Sequence, residues 1–521
     1  MDIKQMNKLD KATASNQSDV MRIGYALLFM VGIILYIGAQ AADIPGGFTL
    51  IVAAVVGGYM AMNIGANDVA NNVGPAVGSK ALSMTGAIII AAIFEASGAL
   101  IAGGDVVSTI SKGIINPAAI GDADTFIWLM LAALLAGALW LNLATAVGAP
   151  VSTTHSIVGG VLGAGIAAGG FGIANWDKMG AIAASWVISP VLGGLIAAGF
   201  LYLIKRTITY KSDMRVAAKK MVPVLIMIMA WAFSTYLALK GLKKIIKLDF
   251  MTALGVGLAI AVVVYVIVKG LVSKAADKLD NDKAGVNKLF TIPLIFAAAL
   301  LSFAHGANDV ANAVGPLAAI TDAIMSHGVS TKASIPLWVM MIGAIGIALG
   351  LALFGPKLIK TVGSEITELD QMRAFSIAMA AAITVIVASQ LGLPVSSTHI
   401  AVGGVFGVGF LREFLKSSHA RMINEIKDHH QGADQEEVEE FLAKFENASI
   451  DEKGVMLKQL KKKTASAELS KKERKQLKKA YKQELVKRSA VYKIAAAWII
   501  TVPASGGLAA ILFFVIRGVM V

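Results

Sequence analysis

Cysteine is absent from the chain. That excludes disulfides, thiol nucleophiles and zinc–thiolate sites, and it leaves the redox compartment unread. Charge is scarce too. Only 16% of the 521 residues are charged, against about a quarter in an average soluble domain. Neither of the two acidic strings described below contains a Lys or Arg, and no arginine clamp for an anion accompanies them. No nucleophile–base–orienter set and no cofactor loop is present, so neither an enzyme nor a cofactor is expected. The first apolar run lacks a clear A-x-A cleavage pattern. It reads as a retained span behind a polar tail of residues 1–22 rather than as a signal peptide.

What the chain has in abundance is apolar sequence, 56% of its residues. A run of roughly 18 or more apolar residues with few charges reads as a membrane-spanning helix. Such runs recur eleven times, near residues 23–42, 48–65, 87–103, 126–147, 181–204, 222–239, 252–268, 289–304, 337–354, 374–391 and 494–516. The expected fold class is an all-α integral membrane protein in a cytoplasmic membrane. The net charge of +13 is concentrated in residues 205–220, 240–247, 269–288 and 412–493. In such a chain this is a topology signal first, and no nucleic-acid partner is expected.

The chain is written twice. "GANDVANNVGP" from Gly65 matches "GANDVANAVGP" from Gly306 at ten of eleven positions. "APVSTTHSIVGGVLGAG" from Ala149 matches "LPVSSTHIAVGGVFGVG" from Leu393. The spacing from Asn67 to Pro150 is 83 residues, and from Asn308 to Pro394 it is 86. A third echo follows each, "SWVISPVLGGLIAA" from Ser185 and "AWIITVPASGGLAA" from Ala497. Three paired strings in one order predict two structural repeats, with the functional site where they meet. The expected organisation is a cytoplasmic tail (1–22), an extra span (23–47) and a first repeat (48–204). Basic loops with two linking spans (205–288) lead to a second repeat (289–411), interrupted by a soluble insertion (412–490) before its last span (491–521).

The positive-inside rule tests the relative orientation of the repeats. The loop after the first hydroxyl string, residues 169–180, carries only Asp177 and Lys178, whereas its counterpart at 412–493 is crowded with Lys and Arg. Opposite sides, and hence inverted repeats with broken helices and re-entrant hairpins, are expected. The lysines of 240–249 argue the other way. Within the insertion, Asp434 with Glu437, Ser449 with Glu452 and Ser470 with Glu473 are helix-start signals, predicting a small cytoplasmic helical unit.

An ionised Asp at the bilayer centre costs roughly 2.5–3.5 kcal/mol on insertion scales, so it persists with a partner or a task. Asp68 and Asp309 stand in otherwise uncharged strings, and the basic residue nearest the first is Lys80. Their natural counter-charge is a bound cation. The carboxylates, the amide oxygens of Asn67, Asn71, Asn308 and Asn312, and backbone carbonyls make an all-oxygen site suited to hard cations. Gly65, Gly74 and Pro75, with Gly306, Gly315 and Pro316, are expected to break the helix and free those carbonyls. The plain alternative is that each Asp caps the half-helix after it.

Ser152, Thr153 and Thr154, with Ser396, Ser397 and Thr398, follow Pro150 and Pro394 and open Gly-rich apolar stretches. Hydroxyls and free amides at a helix start form an anion site, and three donors per copy suit a tetrahedral oxyanion. An N-cap cluster without a ligand is the alternative. An oxyanion held by hydroxyls and amides beside two carboxylates needs cations to offset repulsion, which couples anion and cation binding. His155 and His399 are candidate proton carriers or hydrogen-bonding scaffolds. Glu95 is a candidate cation ligand or gate. His305 has no equivalent in the first repeat, where Ile64 stands, and ranks below them.

"GANDVANNVGPAVGSKALS" with "IFEASGAL", and "FAHGANDVANAVGP" with "GLPVSSTH", resemble the inorganic phosphate transporter (PiT) family. The likeness covers both repeats, and the wording "GANDVAN" is similar to its sodium-dependent branch rather than the "HDTAN" type of proton-coupled relatives. The resemblance implies a symporter that imports inorganic phosphate with sodium as a co-transported ligand, through inverted repeats that alternate access. It implies that Asn67, Asp68, Asn308 and Asp309 serve cations and phosphate, with the hydroxyl strings around phosphate at the hairpin tips. By the same analogy a homodimer is an expectation, embedded in the lipid bilayer. The rivals are proton coupling, carriage of a metal–phosphate complex, a different oxyanion, or a phosphate sensor or receptor without net transport. The extra span and the late insertion depart from the pattern.

Overall fold

Helix is the only regular structure that a single apolar segment can form in lipid while satisfying its own backbone. The computed structural model describes residues 3–149, 151–241, 246–326, 335–364, 369–428 and 488–520. Among these residues it contains helices, short helical turns and one isolated antiparallel bridge between Ile115 and Ala174. Eleven helical stretches among the described residues are long and apolar enough to cross a membrane. They coincide with the eleven apolar runs, and the chain is a multi-pass membrane protein.

The element order repeats. An N-terminal helix α1 (Ile3–Ala41) lies against the first repeat. That repeat comprises α2 (Gly47–Asn67) with α3 (Val69–Gly78), α4 (Met84–Ala102) with α5 (Gly104–Lys112), then α6 (Ala123–Val147), α7 (Thr153–Gly169) and α8 (Trp176–Ile204). A packed pair α9 (Met214–Lys240) and α10 (Phe250–Ala276), and the short α11 (Lys283–Lys288), connect the halves. The second repeat comprises α12 (Thr291–Asp309) with α13 (Ala311–Ser326), α14 (Leu337–Phe354) with α15 (Pro356–Ser364), then α16 (Gln371–Gln390), α17 (Ser397–Asp428) and α18 (Arg488–Met520). The same two interruptions recur within a residue of equivalent places, at Asp68 and Gly103 in one half and at Val310 and Gly355 in the other.

One expectation is corrected. The helix is interrupted at Asp68 and at Val310, not at the glycines. Both residues keep right-handed helical torsions, so the interruption is slight. Gly65 and Gly306 lie inside α2 and α12, where they allow two backbones to touch: a Cβ on Gly65 would strike the Ile347 carbonyl, and one on Gly306 the Glu95 carbonyl. Pro75 and Pro316 sit within α3 and α13. Lacking an N–H, they leave the carbonyls of Asn71 and Asn312, four residues back, without the usual helical donor. α17 runs from the hairpin tip to Asp428, past residue 412 where the insertion is expected to begin, and its sequence from Phe410 onward contains neither Gly nor Pro. The three capping signals of the insertion lie outside the described residues.

Packing interlocks the halves. α4 lies on α12 and α14 on α2. α8 lies on α17 and α18 on α7, so each repeat's last helix packs against the other repeat's hairpin helix. Small residues make these approaches possible: Gly403 and Gly407 meet the Pro190 and Gly194 carbonyls, and Gly159 and Gly163 meet those of Val502 and Gly506. The large apolar side chains of α1 and α10 that remain exposed, among them Leu28, Leu35, Val263 and Val266, form a lipid-facing surface.

Candidate functional site

The two interrupted helices meet the two hairpin tips at the centre of this interlock, and every hydroxyl of the doubled strings is buried there. Within each string the work is divided. The first hydroxyl is a helix cap: Ser152 Oγ accepts from the His155 amide (3.1 Å), and Ser396 Oγ from the His399 amide (3.2 Å). The second serves a carboxylate: Thr153 Oγ1 donates to Asp68 Oδ2 (2.5 Å), and Ser397 Oγ to Asp309 Oδ2 (2.8 Å). The third crosses between repeats. Thr398 Oγ1 donates to Asp68 Oδ1 at 2.9 Å, while Thr154 Oγ1 donates to the Val395 carbonyl at 3.0 Å. Asp68 makes no side-chain cap to α3, so the capping alternative fails for it.

The asparagines divide as well. Asn71 Nδ2 donates to Thr398 Oγ1 (2.9 Å), and Asn312 Nδ2 to Thr153 Oγ1 (3.1 Å) and Thr154 Oγ1 (3.2 Å). The side-chain oxygens of both are buried without a hydrogen-bond partner. Asn67 and Asn308 are instead occupied with the chain before each tip. Asn67 Nδ2 donates to Thr145 Oγ1 (3.0 Å) and the Ala149 carbonyl (3.2 Å), and its oxygen accepts from the Val151 amide (3.3 Å). Asn308 Nδ2 donates to Ser389 Oγ (3.0 Å) and the Leu393 carbonyl (3.3 Å). Turned over, the Asn308 amide stays on Ser389 Oγ and also reaches Asp309 Oδ1 at 2.9 Å.

Glu95 and His305 join the site from the side. His305 Nδ1 meets Glu95 Oε2 at 2.7 Å and Nε2 meets Asp309 Oδ2 at 2.9 Å, while Asn72 Nδ2 donates to Glu95 Oε1 at 2.7 Å. His155 and His399 sit elsewhere, in a four-ring stack. Ring centroids are 3.9 Å apart for Trp186 and His155, 4.4 Å for the two histidines, and 3.8 Å for His399 and Trp498. Trp186 Nε1 donates to the Pro394 carbonyl at 3.1 Å. The stack ties α7, α8, α17 and α18 together behind the tips.

This geometry gathers three acids, one imidazole and a set of hydroxyls and amides, all buried, between the repeats. A model of the phosphate transporter family matches residues 64–509. The chain belongs to the phosphate transporter family. It is 56% identical over 524 residues to a protein of Helicobacter pylori strain J99 provisionally named a phosphate permease, covering 98% of each chain. A Pyrococcus abyssi protein with the same provisional description is 39% identical over 363 residues, 70% of this chain and 89% of that one. Among solved structures, that of a protein named the sodium-dependent phosphate transporter aligns with a TM-score of 0.74 and 31% identity, covering 91% of this chain and 100% of the other.

Thr145, Ser389 and Asn72 contribute to the candidate site without being singled out in the sequence, where His305 ranks low. Thr145 and Ser389 stand at equivalent places, five residues before Pro150 and Pro394, so extending the repeat alignment flags them. Asn72 and His305 have no counterpart in the other half, and an alignment that rewards sameness ranks them low. The division of labour among the hydroxyls makes a prediction. Ser152→Ala removes a cap worth ~1 kcal/mol and lowers the melting temperature, with phosphate uptake near that of the wild type. Thr153→Ala takes a hydroxyl from Asp68 and is expected to cut uptake about tenfold or more, as one lost charge-assisted hydrogen bond would. Paired melting and uptake measurements check this, and equal uptake losses in the two variants would remove the distinction.

Proposed function

We propose that this phosphate transporter imports inorganic phosphate by symport with sodium, its two repeats acting as inverted halves that alternate access to the shared site. The observation that carries this reading is the direction of the hydroxyl protons. Thr153 and Thr398 donate to Asp68, and Ser397 to Asp309. A hydroxyl has one proton to give. While it rests on a carboxylate it is withheld from a phosphate oxygen, and the acids themselves repel the anion. Cations on Asp68 and Asp309 reverse both effects. They neutralise the acids, and they free the hydroxyls to turn toward phosphate at the two helix starts, where the positive dipole ends assist.

Sodium suits the oxygens on offer. The carboxylates are joined by the partnerless Asn71 Oδ1 and Asn312 Oδ1, all hard donors. Cation binding therefore precedes phosphate binding. In this scheme Asn67 and Asn308 brace the tips, and the His155–His399 stack keeps the two tips in register. The sodium dependence for which the structurally similar transporter is named supports the choice of ion.

Uptake of labelled phosphate into proteoliposomes, driven in turn by an imposed sodium gradient and an imposed proton gradient, tests the reading. The expected result is accumulation with sodium and at least about tenfold less with choline in its place. Phosphate uptake that ignores sodium would favour proton coupling or a metal–phosphate complex, and absence of uptake under either gradient would favour a sensor or receptor.

A further inference from the structure

Three polar side chains of the site have no counterpart in the other half of the molecule. Asn72, Glu95 and His305 form one buried line that ends on Asp309. The repeat places Ala313 where Asn72 stands and Ile64 where His305 stands. The helix crossings identify the remaining pair: Gly306 packs on the Glu95 carbonyl as Gly65 packs on that of Ile347, and Gly98 meets Phe303 as Gly350 meets Met62. An isoleucine pair thus fills in one half the place an acid–imidazole pair fills in the other. Two equivalent alkali-ion positions do not require that difference, and a buried ionisable pair is retained in a membrane only against a cost.

We infer that Asp68, Asp309 and His305 form a binding site for one d-block divalent cation, of the Zn2+ and Mn2+ class, with Glu95 as the outer carboxylate that orients the imidazole. One ligand atom from each of the three residues lies within 4.8 Å of the others, and all three side chains are buried. Bonds of about 2.0–2.2 Å to such a cation place ligand atoms within that range of one another. A metal-binding histidine almost always gives its other ring N–H to a carboxylate or carbonyl, which fixes the tautomer. Glu95 Oε2, 2.7 Å from Nδ1 and itself held by Asn72, is such a partner. With that proton on Nδ1, Nε2 carries a lone pair; it lies 2.9 Å from an oxygen of Asp309 and is buried without a hydrogen-bond partner. An unpartnered imidazole nitrogen this close to a carboxylate oxygen is a ready place for a cation that both can bind.

Asn71 Oδ1 and Asn312 Oδ1, buried and unpartnered, are neutral oxygens on residues whose amide nitrogens already touch the hydroxyls on Asp68. They offer further oxygen ligands from α3 and α13, and the imidazole shifts the preference from alkali and alkaline-earth ions toward d-block ions. The stoichiometry follows from the asymmetry: one metal per chain, because the line occurs once. The metal shares Asp68 and Asp309 with the sodium coupling proposed above without depending on it, since a proton-driven carrier with these residues would hold it equally. Seated there, it occupies the carboxylates that a transported cation must reach and arrests uptake.

Calorimetric titration of Zn2+ into the tag-free full-length protein in detergent, with choline as the only other cation, tests this. One Zn2+ per chain is expected to bind in the micromolar range, and millimolar Mg2+ to leave it in place. His305→Gln keeps a donor for Glu95 but loses the ring nitrogen. It should weaken binding by at least the ~10–100-fold that loss of an outer-shell partner brings, and Glu95→Gln by about that range. Should His305→Gln not yield folded protein, Asp68→Asn, which leaves the line intact, carries the same prediction. Zn2+ binding that sodium fails to weaken would count against the sodium site, not the metal site. Absence of stoichiometric Zn2+, or wild-type binding in the folded His305 and Asp68 variants, overturns the inference and leaves His305 as a cationic bridge between Glu95 and Asp309.

Discussion

Asp68→Asn should abolish sodium-driven phosphate uptake, to below about one hundredth of the wild-type rate, while the protein still reaches the membrane. The change is nearly isosteric, so the effect isolates charge. Asp68 Oδ1 and Oδ2 each accept a hydroxyl, from Thr398 and Thr153. An asparagine keeps one acceptor and turns two amide protons toward the other hydroxyl, which must rotate away. The greater loss is the negative charge that draws in the cation. A hundredfold corresponds to ~2.7 kcal/mol, a modest fraction of what a buried carboxylate–cation pair is worth at low dielectric. Asp309→Asn should act in the same direction. Its carboxylate holds Ser397 and His305, so the variant also releases one side of the imidazole. Asp68 alone receives donors from the tips of both repeats, and its loss should be the more severe. Uptake by vesicles containing equal amounts of each variant is the measurement, and near-normal rates in both would refute the assignment of the acids.

The doubled strings make the two acids and six hydroxyls legible, because a membrane segment tolerates such polarity only for a reason and repetition makes accident implausible. The eleven spans are legible for an equally direct cause, since apolar length is itself the requirement for crossing. What single strings do not encode is which hydroxyl faces what. Ser152, Thr153 and Thr154 are chemically alike, and only the helix start separates a cap from a carboxylate donor. Glycine is ambiguous in a related way. Gly65 and Gly306 fit a broken helix and a helix crossing equally well on paper, and the partner backbones, Ile347 and Glu95, lie hundreds of residues away. The pairing of α8 with α17 and of α7 with α18 is likewise a property of the assembled halves. His305 ranks low in the sequence for lacking a twin, yet that lack is what distinguishes the two halves of the site.

Gly306→Ala and Gly65→Ala should each destabilise the protein severely, although alanine is the better helix former by ~1 kcal/mol. At both positions the added methyl would press on a backbone carbonyl of a crossing helix. Backbone cannot rotate aside as a side chain can, so the helices must separate along their length. Overpacking of this kind typically costs about 1–3 kcal/mol and occasionally more, and about 3 kcal/mol shifts the folded-to-unfolded ratio on the order of 100-fold. Gly199→Ala is the control: it lies in α8, and nothing stands within 4 Å of the place its methyl would take, so melting should be unchanged or slightly raised. Thermal melting in detergent decides the matter, and a wild-type transition for either interface variant would contradict the crossing.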